Sequence, residues 1–237
     1  MELSGSVALV TGASKGLGLE IARAYAARGA KLVIAARRRN ELDVASEELR
    51  ARTDVVALAL DVSEEAERLV EAARERFGRI DVLVNNASTI GPSPMPRLEE
   101  YDWRDLARVF RVNVFAPLHL AQLVLPDMRA RGEGVIINVT SDAGVEAYPG
   151  WGGYGSSKAA LEHVTKTLAA ELDGTGVRVY AVDPGDMNTE MHQLAEPGED
   201  LSGLPGPEVA APAFVRLVEQ ETAPFARVQA QAAVAAS

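Results

Sequence analysis

The stretch VALVTGASKGLG, from Val7 to Gly18, decides the fold predicted for this chain. Its first five residues are apolar or β-branched and predict a buried strand, and an amphipathic helical pattern follows. Gly12, Gly16 and Gly18 lie in the turn between the two, where glycine lets the backbone turn tightly and approach a ligand. Free N–H groups and the dipole at the start of such a helix bind a pyrophosphate. The alternative is a plain strand-to-helix turn.

Outward from this turn, short apolar runs alternate with amphipathic stretches along the chain. Several runs are almost continuous Val, Ile and Leu, as in strands that are covered on both faces. This alternation predicts an α/β fold with one doubly wound parallel sheet of about seven strands (a Rossmann fold) and helices on both faces, in a single domain over residues 1–237. The predicted strands are Val7–Thr11, Lys31–Ala36, Val55–Ala59, Val82–Asn85, Gly134–Thr140, Val177–Asp183 and Arg227–Ala230.

Positive charges follow the second strand and lie in the glycine turn. Arg37 and Arg38 stand where an acidic residue would hold a ribose 2′-hydroxyl and where an arginine accommodates a 2′-phosphate. Lys15 adds a cation in the turn, and guanidinium groups suit phosphate. These residues predict NADP(H) rather than NAD(H) as the cofactor. The alternative is a solvated basic start to the next helix, which accounts best for Arg39.

The composition argues against several other classes of function. The chain has no cysteine, which excludes a disulfide framework, a zinc–thiolate site and a thiol nucleophile, and we predict no metal site. A formal net charge of −10 argues against nucleic acid or an anionic membrane as the main partner. No signal region is visible and no apolar run approaches the roughly 20 residues of a spanning helix, so we expect a cytoplasmic protein.

Tyr154 and Lys158 form the clearest candidate for acid–base chemistry. They are four residues apart, so on a helix they lie one turn apart on the same face. A tyrosine with its ordinary pKa of about 10 is a slow acid or base at neutral pH, and a neighbouring ammonium favours the phenolate. Such pairs also occur by chance on helix surfaces. Tyr148 is a competing tyrosine, but Gly152 occupies the position four residues after it.

From about Gly5 to Glu190, the chain closely resembles the single-domain branch of the short-chain dehydrogenase/reductase family. The resemblance lies in an ordered set of motifs rather than in any one of them. The set comprises the turn Thr11–Gly18, Asp61-Val62, Asn85-Asn86-Ala87, Asn113, Ser141, Tyr154 with Lys158, and Pro184-Gly185 with Thr189.

The resemblance implies an oxidoreductase that transfers a hydride between a nicotinamide and a carbonyl or alcohol. Tyr154 would be the general acid/base, and Lys158 would lower its pKa and bind the nicotinamide ribose. Ser141 would hold the substrate oxygen, and Asn113 would support a water relay that reaches Lys158. The implied cofactor-binding residues are Gly12, Ser14, Lys15, Gly16, Leu17, Gly18, Arg37, Arg38, Asp61, Val62, Asn86, Ala87, Tyr154, Lys158, Pro184, Gly185 and Thr189.

Structural roles are the alternative for the individual residues. Asn113 as a polar group inside a helix would satisfy local backbone, and Ser141 would cap a turn, with Thr140 beside it as the register alternative. A second glycine-rich stretch, Gly150–Gly155, fits Gly-x-Gly-x-x-Gly literally but lies far from the end of its strand. We interpret it as a flexible approach to a helix.

The chain departs from the family pattern in two places. Ser88 stands where the family usually has glycine, and its side chain would narrow the space beside the cofactor and affect cofactor affinity. The usual Val-Asp-Gly-Gly ending is absent, and the Ala-rich tail from Ala230 is expected to fray. We still expect a homodimer or homotetramer through two long helices near Trp103–Arg131 and Gly152–Asp173.

The substrate pocket is expected beyond the carboxyl ends of the strands. A loop or lid within residues 186–212, followed by a short helix around Glu208–Glu221, would cover it. The expected lining comes from Ala143–Trp151 and Met187–Leu204, with Trp151, Met187, Met191 and His192 as candidates. The chain could also be a dehydratase or epimerase on the same scaffold, or a non-catalytic dinucleotide sensor, but the complete set of four catalytic positions favours the oxidoreductase acting on a small molecule.

Overall fold

The computed structural model describes residues 1–235. Within these residues, seven strands form one parallel sheet. In chain order these strands are β1 (Val7–Thr11), β2 (Lys31–Ala36), β3 (Val55–Ala59), β4 (Val82–Asn85), β5 (Gly134–Val139), β6 (Val177–Asp183) and β7 (Phe225–Gln229). Their order across the sheet is β3-β2-β1-β4-β5-β6-β7. The direction of winding reverses between β1 and β4, and a ligand crevice forms at such a point.

Helices connect the strands and cover both faces of the sheet. They are α1 (Gly16–Ala27), α2 (Arg39–Arg50), α3 (Ala66–Phe77), α4 (Trp103–Phe110), α5 (Ala116–Arg131), α6 (Gly152–Glu171), α7 (Glu190–Ala195), α8 (Ala211–Glu219) and α9 (Ala230–Ala235). A π-helical segment, Arg111–Phe115, joins α4 to α5. Short 3₁₀ turns occur at Leu98–Glu100, Asp142–Gly144 and Pro207–Val209.

Two hydrophobic cores lie on opposite faces of the sheet. Ala8 and Val10 of β1 pack in the core that α1, α2 and α8 cover, whereas Val7 and Leu9 pack in the core under α3, α5 and α6. Successive residues of a strand point to opposite faces, so a strand covered on both sides is apolar throughout. The apolar runs of the sequence have this physical cause.

The predicted doubly wound sheet is confirmed, with small shifts at its far edge. Strand β5 ends at Val139, one residue before the predicted end. Strand β7 begins at Phe225, two residues early, and ends at Gln229 because Ala230 starts helix α9. The tail that was expected to fray is therefore helical through Ala235. The last two positions of the chain lie outside the described residues.

The continuous helix Trp103–Arg131 is long and apolar enough to cross a membrane by length and composition alone. No uninterrupted apolar run of that length is present, as predicted, because polar residues such as Asn113 and Gln122 interrupt this helix. More than half of the apolar window (56%) is buried inside the protein. Leu120 and Val124 pack in the core over the sheet, and this burial accounts for the apolar composition.

The predicted lid region, residues 186–212, contains more regular structure than a loop. Helix α7 lies within it, and the hydroxyl of Thr189 accepts a hydrogen bond from the backbone N–H of His192 at its start. The helix predicted around Glu208–Glu221 is present as a 3₁₀ turn followed by α8. The lid therefore presents an ordered helix to the carboxyl edge of the sheet.

Candidate active site

A cleft of about 660 Å³ opens at the carboxyl edge of the sheet. It runs from the glycine turn past the ends of β2, β3 and β4 to the start of α6 and the lid. Gly18 and Asn113 lie behind its wall. The other predicted site residues line it: Gly12, Ser14, Lys15, Gly16, Leu17, Arg37, Arg38, Asp61, Val62, Asn86, Ala87, Ser141, Tyr154, Lys158, Pro184, Gly185 and Thr189.

The glycine turn leaves room for a ligand only because it has no side chains at its closest points. Gly12 and Gly16 have φ values of +66° and +55°, in the left-handed region that favours glycine. A Cβ on Gly18 would lie 2.3 Å from the carbonyl oxygen of Gly12. Among the described residues, no side chain caps the first turn of α1, so its N–H groups are available to an anion. These features fit a dinucleotide pyrophosphate.

Thr11 and Asn86 fix the glycine turn to the end of β4. The amide nitrogen of the Asn86 side chain donates to the carbonyl oxygens of Thr11 and Gly12, at 2.9 and 3.1 Å. The Thr11 hydroxyl accepts hydrogen bonds from the backbone N–H groups of Asn86 and Ala87, both at 3.0 Å. The structure thus assigns Thr11 a positioning role that the sequence analysis did not single out.

The cations at the β2 end of the cleft are paired with two carboxylates. Arg38 Nη1 lies 2.8 Å from Glu41 Oε1 and 3.3 Å from Glu190 Oε1. Lys15 Nζ lies 3.4 Å from Glu41 Oε2 and also forms an ion pair with Glu190. The hydrogen bond from Lys15 lowers the pKa of Glu190, and that from Arg38 lowers the pKa of Glu41. Neither glutamate was identified from the sequence, which shows no carboxylate next to Arg37.

Asp61 follows β3 and lines the same side of the cleft. Its Oδ1 atom accepts hydrogen bonds from the backbone N–H and the hydroxyl of Ser63, at 2.9 and 2.7 Å. This local turn fixes the carboxylate and Val62 at the wall of the cleft.

Tyr154 and Lys158 lie one turn apart on the buried face of α6, as their spacing predicted. The Lys158 ammonium donates to the carbonyl oxygen of Val139 at 2.8 Å and lies 5.4 Å from the centre of the Tyr154 ring. Burial lowers the pKa of Lys158 to about 7. Burial also raises the pKa of Tyr154, and the hydroxyls of Ser141 and Ser88 partly oppose this shift.

Lys158 is not among the groups that shift the pKa of Tyr154 in this structure, and its expected effect on the tyrosine stays a prediction. Desolvation of the phenol is the dominant effect, and a lysine with a pKa of about 7 carries only part of its charge at neutral pH. Tyr154 is consequently a neutral phenol that can donate a proton.

Ser141 occupies a turn-capping position and faces the cleft at the same time. Its hydroxyl donates to Asp142 Oδ1 at 2.9 Å and accepts from the backbone N–H of Ala143 at 3.2 Å. Thr140, the register alternative, is 1% exposed, and its hydroxyl has no hydrogen-bond partner within residues 1–235. Only the Ser141 hydroxyl of the two affects the pKa of Tyr154, which favours Ser141 as the substrate-facing group.

Asn113 lies in the π-helical segment, is 1% exposed, and uses its side chain to join two elements. Its amide nitrogen donates to the Thr89 carbonyl oxygen and to the Ser157 hydroxyl, both at 2.9 Å. Its amide oxygen accepts from the Thr89 N–H at 2.9 Å and from the Ser88 hydroxyl at 3.1 Å. The side chain thereby holds the loop after β4 against α6. Ser157, which the sequence analysis missed, donates in turn to the Tyr154 carbonyl oxygen at 2.6 Å.

The substrate end of the cleft combines aromatic rings with acidic side chains. Trp151 packs edge-on against Tyr148 and Tyr154, with ring centres 6.3 and 6.0 Å apart. Asp142 and Asp186 lie at the same end. The Tyr148 hydroxyl donates to Asp142 Oδ2 at 2.9 Å, and this hydrogen bond and the charges of both carboxylates raise the pKa of Tyr148. The other predicted candidates, Met187, Met191 and His192, also line the cleft.

The second glycine-rich stretch leads from a turn at Gly150 into α6, and Gly152–Gly155 form the first turn of that helix. A Cβ on Gly153 would lie 2.4 Å from the Tyr101 ring, and one on Gly155 would lie 2.5 Å from the Ala143 carbonyl oxygen. These glycines permit close packing that places Tyr154 beside Ser141.

Comparison with known proteins identifies a related family. Residues 6–200 match the sequence model of the short chain dehydrogenase family. The chain is 34% identical to the 3-oxoacyl-[acyl-carrier-protein] reductase FabG of Thermotoga maritima, over 94% of both chains. It is 37% identical to the glycine betaine reductase ATRR of Emericella nidulans, covering 84% of this chain but only 16% of that longer protein.

Solved structures give the same relationship. The L-sorbose reductase of Gluconobacter frateurii, complexed with NADPH and L-sorbose, is 32% identical, with a TM-score of 0.84 over 97% of this chain and 98% of that one. The 3-ketoacyl-(acyl-carrier-protein) reductase of Brucella melitensis, complexed with NADH, is 30% identical, with a TM-score of 0.86 over 96% and 98%.

Proposed function

The chain belongs to the short-chain dehydrogenase family of oxidoreductases, and from that premise we propose that it is an NADP(H)-dependent enzyme that interconverts a carbonyl compound and the matching alcohol, with Tyr154 as the acid/base. One observation carries the proposal: Tyr154, Ser141 and Lys158 line the same cleft as the glycine turn. A substrate oxygen beside Tyr154 and Ser141 then lies in the same cavity as a dinucleotide on the turn.

The nicotinamide supplies the hydride when it is bound, and the protein supplies the proton and the orientation. Tyr154 donates the proton of its hydroxyl to the carbonyl oxygen as negative charge develops there. Ser141 turns its hydroxyl proton from Asp142 Oδ1 to the same oxygen, and this hydrogen bond holds the carbonyl in place. Lys158 is held by the Val139 carbonyl oxygen and lies beside Tyr154. When Lys158 is protonated, its positive charge offsets the negative charge left on the Tyr154 oxygen after proton transfer.

The raised pKa of Tyr154 favours one direction of the reaction at neutral pH. A neutral phenol is ready to donate a proton, as carbonyl reduction requires, whereas alcohol oxidation requires the phenolate. We therefore propose that reduction dominates at neutral pH and that oxidation gains as the pH rises.

The preference for NADP(H) is supported by this chain's own cations. Arg37 and Arg38 follow β2, and Lys15 lies in the glycine turn; all three line the cleft. Relatives in this family have been seen with NADPH and with NADH, so family membership alone does not select the cofactor.

We also propose that the chain forms a homodimer or homotetramer in the cytoplasm. Trp103 and Phe115, on the long helix Trp103–Arg131, are 66% and 58% exposed, and large exposed apolar side chains are typical of an interface. Light scattering tests this proposal, and a monomer at micromolar concentration would contradict it.

Replacing Tyr154 with phenylalanine tests the catalytic assignment. Tyr154→Phe removes the hydroxyl and keeps the ring, so turnover should fall to background while NADPH affinity stays nearly unchanged. Tyr148→Phe is the matched control, because it removes a tyrosine hydroxyl at the same end of the cleft and should retain turnover. Activity retained in Tyr154→Phe would remove Tyr154 from the mechanism.

Replacing Arg37 and Arg38 with glutamine tests the cofactor assignment. The double variant should lose about tenfold or more in NADPH affinity and little in NADH affinity, because only NADPH carries the 2′-phosphate. Arg39→Gln, one position further, is the control. Equal losses for the two cofactors would show that these arginines do not contact the phosphate.

A further inference from the structure

Glu190 ties helix α7 of the lid across the cleft to the cofactor side. Its carboxylate forms an ion pair with Lys15 of the glycine turn and lies 3.3 Å from Arg38 at the end of β2. These partners are 175 and 152 positions away along the chain. Glu190 therefore connects two walls of the cleft that the sequence leaves unrelated.

Glu190 pairs with Lys15 and Arg38. In the proposed function, these are two of the three cations that bind the 2′-phosphate. Glu41 of α2 already neutralises part of their charge, through contacts of 2.8 Å to Arg38 and 3.4 Å to Lys15. With Glu190 in place, two carboxylates balance two cations. A phosphate that approaches Lys15 and Arg38 meets two negative charges at the same place.

Resting on the proposed function, we propose that Glu190 is a specificity-determining residue: it occupies the 2′-phosphate subsite in the free protein, and the phosphate of NADP(H) displaces it and releases α7 from the cofactor side. NADH carries no 2′-phosphate and leaves the contact of Glu190 with Lys15 and Arg38 in place.

The exposure of the ion pairs makes this exchange feasible. The side chains of Lys15, Arg38 and Glu190 are 42%, 60% and 46% exposed. Ion pairs between such solvated groups contribute little free energy, so they break readily. A phosphate has more negative charge than a carboxylate and more acceptor oxygens, and it binds guanidinium groups through paired hydrogen bonds. It can therefore displace Glu190, but at a cost in apparent affinity.

The first experiment measures the dissociation constants of NADPH and NADH for the full chain and for Glu190→Gln. Removing the competing carboxylate should tighten NADPH about three- to tenfold, the size expected from two exposed ion pairs, and change NADH less than about twofold. Glu199→Gln, which removes one negative charge elsewhere in the lid, is the matched control and should change neither constant.

The outcomes separate this inference from the proposed function. If neither cofactor binds the unmodified protein, the proposed function fails. If both bind but Glu190→Gln weakens NADPH, or changes both cofactors equally, Glu190 is not a competitor for the phosphate and the inference is overturned.

The second experiment tests the release of α7 by hydrogen–deuterium exchange, which does not depend on turnover. Amides of Glu190–Ala195 should exchange faster in protein saturated with NADPH than with NADH, and Glu190→Gln should abolish this difference. The same exchange with both cofactors in the unmodified protein would show that the phosphate does not release the helix.

Discussion

Ser88 replaces the glycine that the family usually has at this position, and its side chain acts on Tyr154. Its hydroxyl donates to Asn113 at 3.1 Å and also acts to lower the pKa of Tyr154. A glycine at this position could do neither. Ser88 thus connects the proposed proton donor to the buried side chain of Asn113, which holds the loop after β4.

Two substitutions at Ser88 separate its hydroxyl from its bulk. Ser88→Ala and Ser88→Gly both remove the hydroxyl that acts to lower the pKa of Tyr154, so the pH at which alcohol oxidation reaches half its maximum should rise in both variants. Only Ser88→Gly also removes the Cβ, so only that variant should bind the cofactor more tightly. Unchanged pH profiles in both variants would rule out an effect of the hydroxyl on Tyr154.

The titration of Lys158 should make the free energy of unfolding depend on pH. Its pKa is about 7 in the folded protein and about 10.4 in an unfolded chain, so the unfolded state binds more protons between these values. The free energy of unfolding should therefore rise with pH across this window, with a slope of up to about 1.4 kcal/mol per pH unit from this residue.

Denaturant unfolding at several pH values between about 7 and 10 checks this expectation. Lys158→Met keeps the length of the side chain and removes the titration, so its stability should rise less steeply than that of the unmodified protein. Parallel curves for the two proteins would mean that Lys158 keeps its ordinary pKa when buried.

At the scale of elements, the shape of the glycine turn depends on the close packing of Gly18 as much as on the positive φ of Gly12 and Gly16. A Cβ at this position would lie 2.3 Å from the Gly12 carbonyl oxygen and 2.5 Å from the Asn86 amide nitrogen. Both atoms belong to the contact that fixes the turn to β4, so Gly18 sets the shape of the cofactor site from behind the cleft wall.

Gly18→Ala should therefore lower the free energy of unfolding by about 1–3 kcal/mol and weaken NADPH binding, because the turn must shift to accommodate the methyl group. Gly203→Ala is the control, since a Cβ there meets no described atom within 4 Å and Gly203 does not have positive φ. Calorimetry of both variants with and without NADPH provides the measurement, and wild-type stability in Gly18→Ala would contradict the packing argument.

The elements that the sequence predicts well are those whose environment is uniform along their length. Strands β1 to β4 and β6 have the predicted bounds because both faces of each are covered by helices. Helix α7 was not predicted, because its six residues lie between proline- and glycine-containing segments and are stabilised by a cap at Thr189 and by contacts across the cleft. Local pattern carries no information about such contacts.

Local sequence pattern also limits how much of the site could be predicted. Tyr154 and Lys158 could be paired because helix geometry relates positions four apart, and the glycine turn could be placed because it follows a strand directly. Glu190 could not be paired with Lys15 and Arg38, since the lid folds back over the sheet from more than a hundred positions away. Glu41 lies only three positions after Arg38, a spacing that helix geometry relates, but the sequence analysis did not use this pair. The raised pKa of Tyr154 also depends on burial, which only the packed structure shows.

At the scale of the whole molecule, the negative charge bears on the substrate. The chain has a net charge of −10, and Asp142 and Asp186 lie at the substrate end of the cleft, whereas Lys15, Arg37 and Arg38 lie at the cofactor end. This asymmetry favours substrates without a negative group near the carbonyl.

Pentanal and succinic semialdehyde, which have similar length and differ in charge, test this asymmetry. We expect kcat/KM to be about tenfold or more lower for the anion, and we expect added salt and Asp186→Asn each to narrow the gap. Equal or better use of the anionic aldehyde would show that the acidic side chains do not select the substrate.

The central claim is that this chain uses NADPH to reduce a carbonyl group, and a titration of the purified protein with NADPH and with NADH tests it most directly. The titration is followed by a panel of ketones and aldehydes scored by loss of nicotinamide absorbance. The account predicts tighter binding of NADPH than of NADH and NADPH consumption with at least one carbonyl compound. Failure of both cofactors to bind would contradict it at the turn from Gly12 to Gly18.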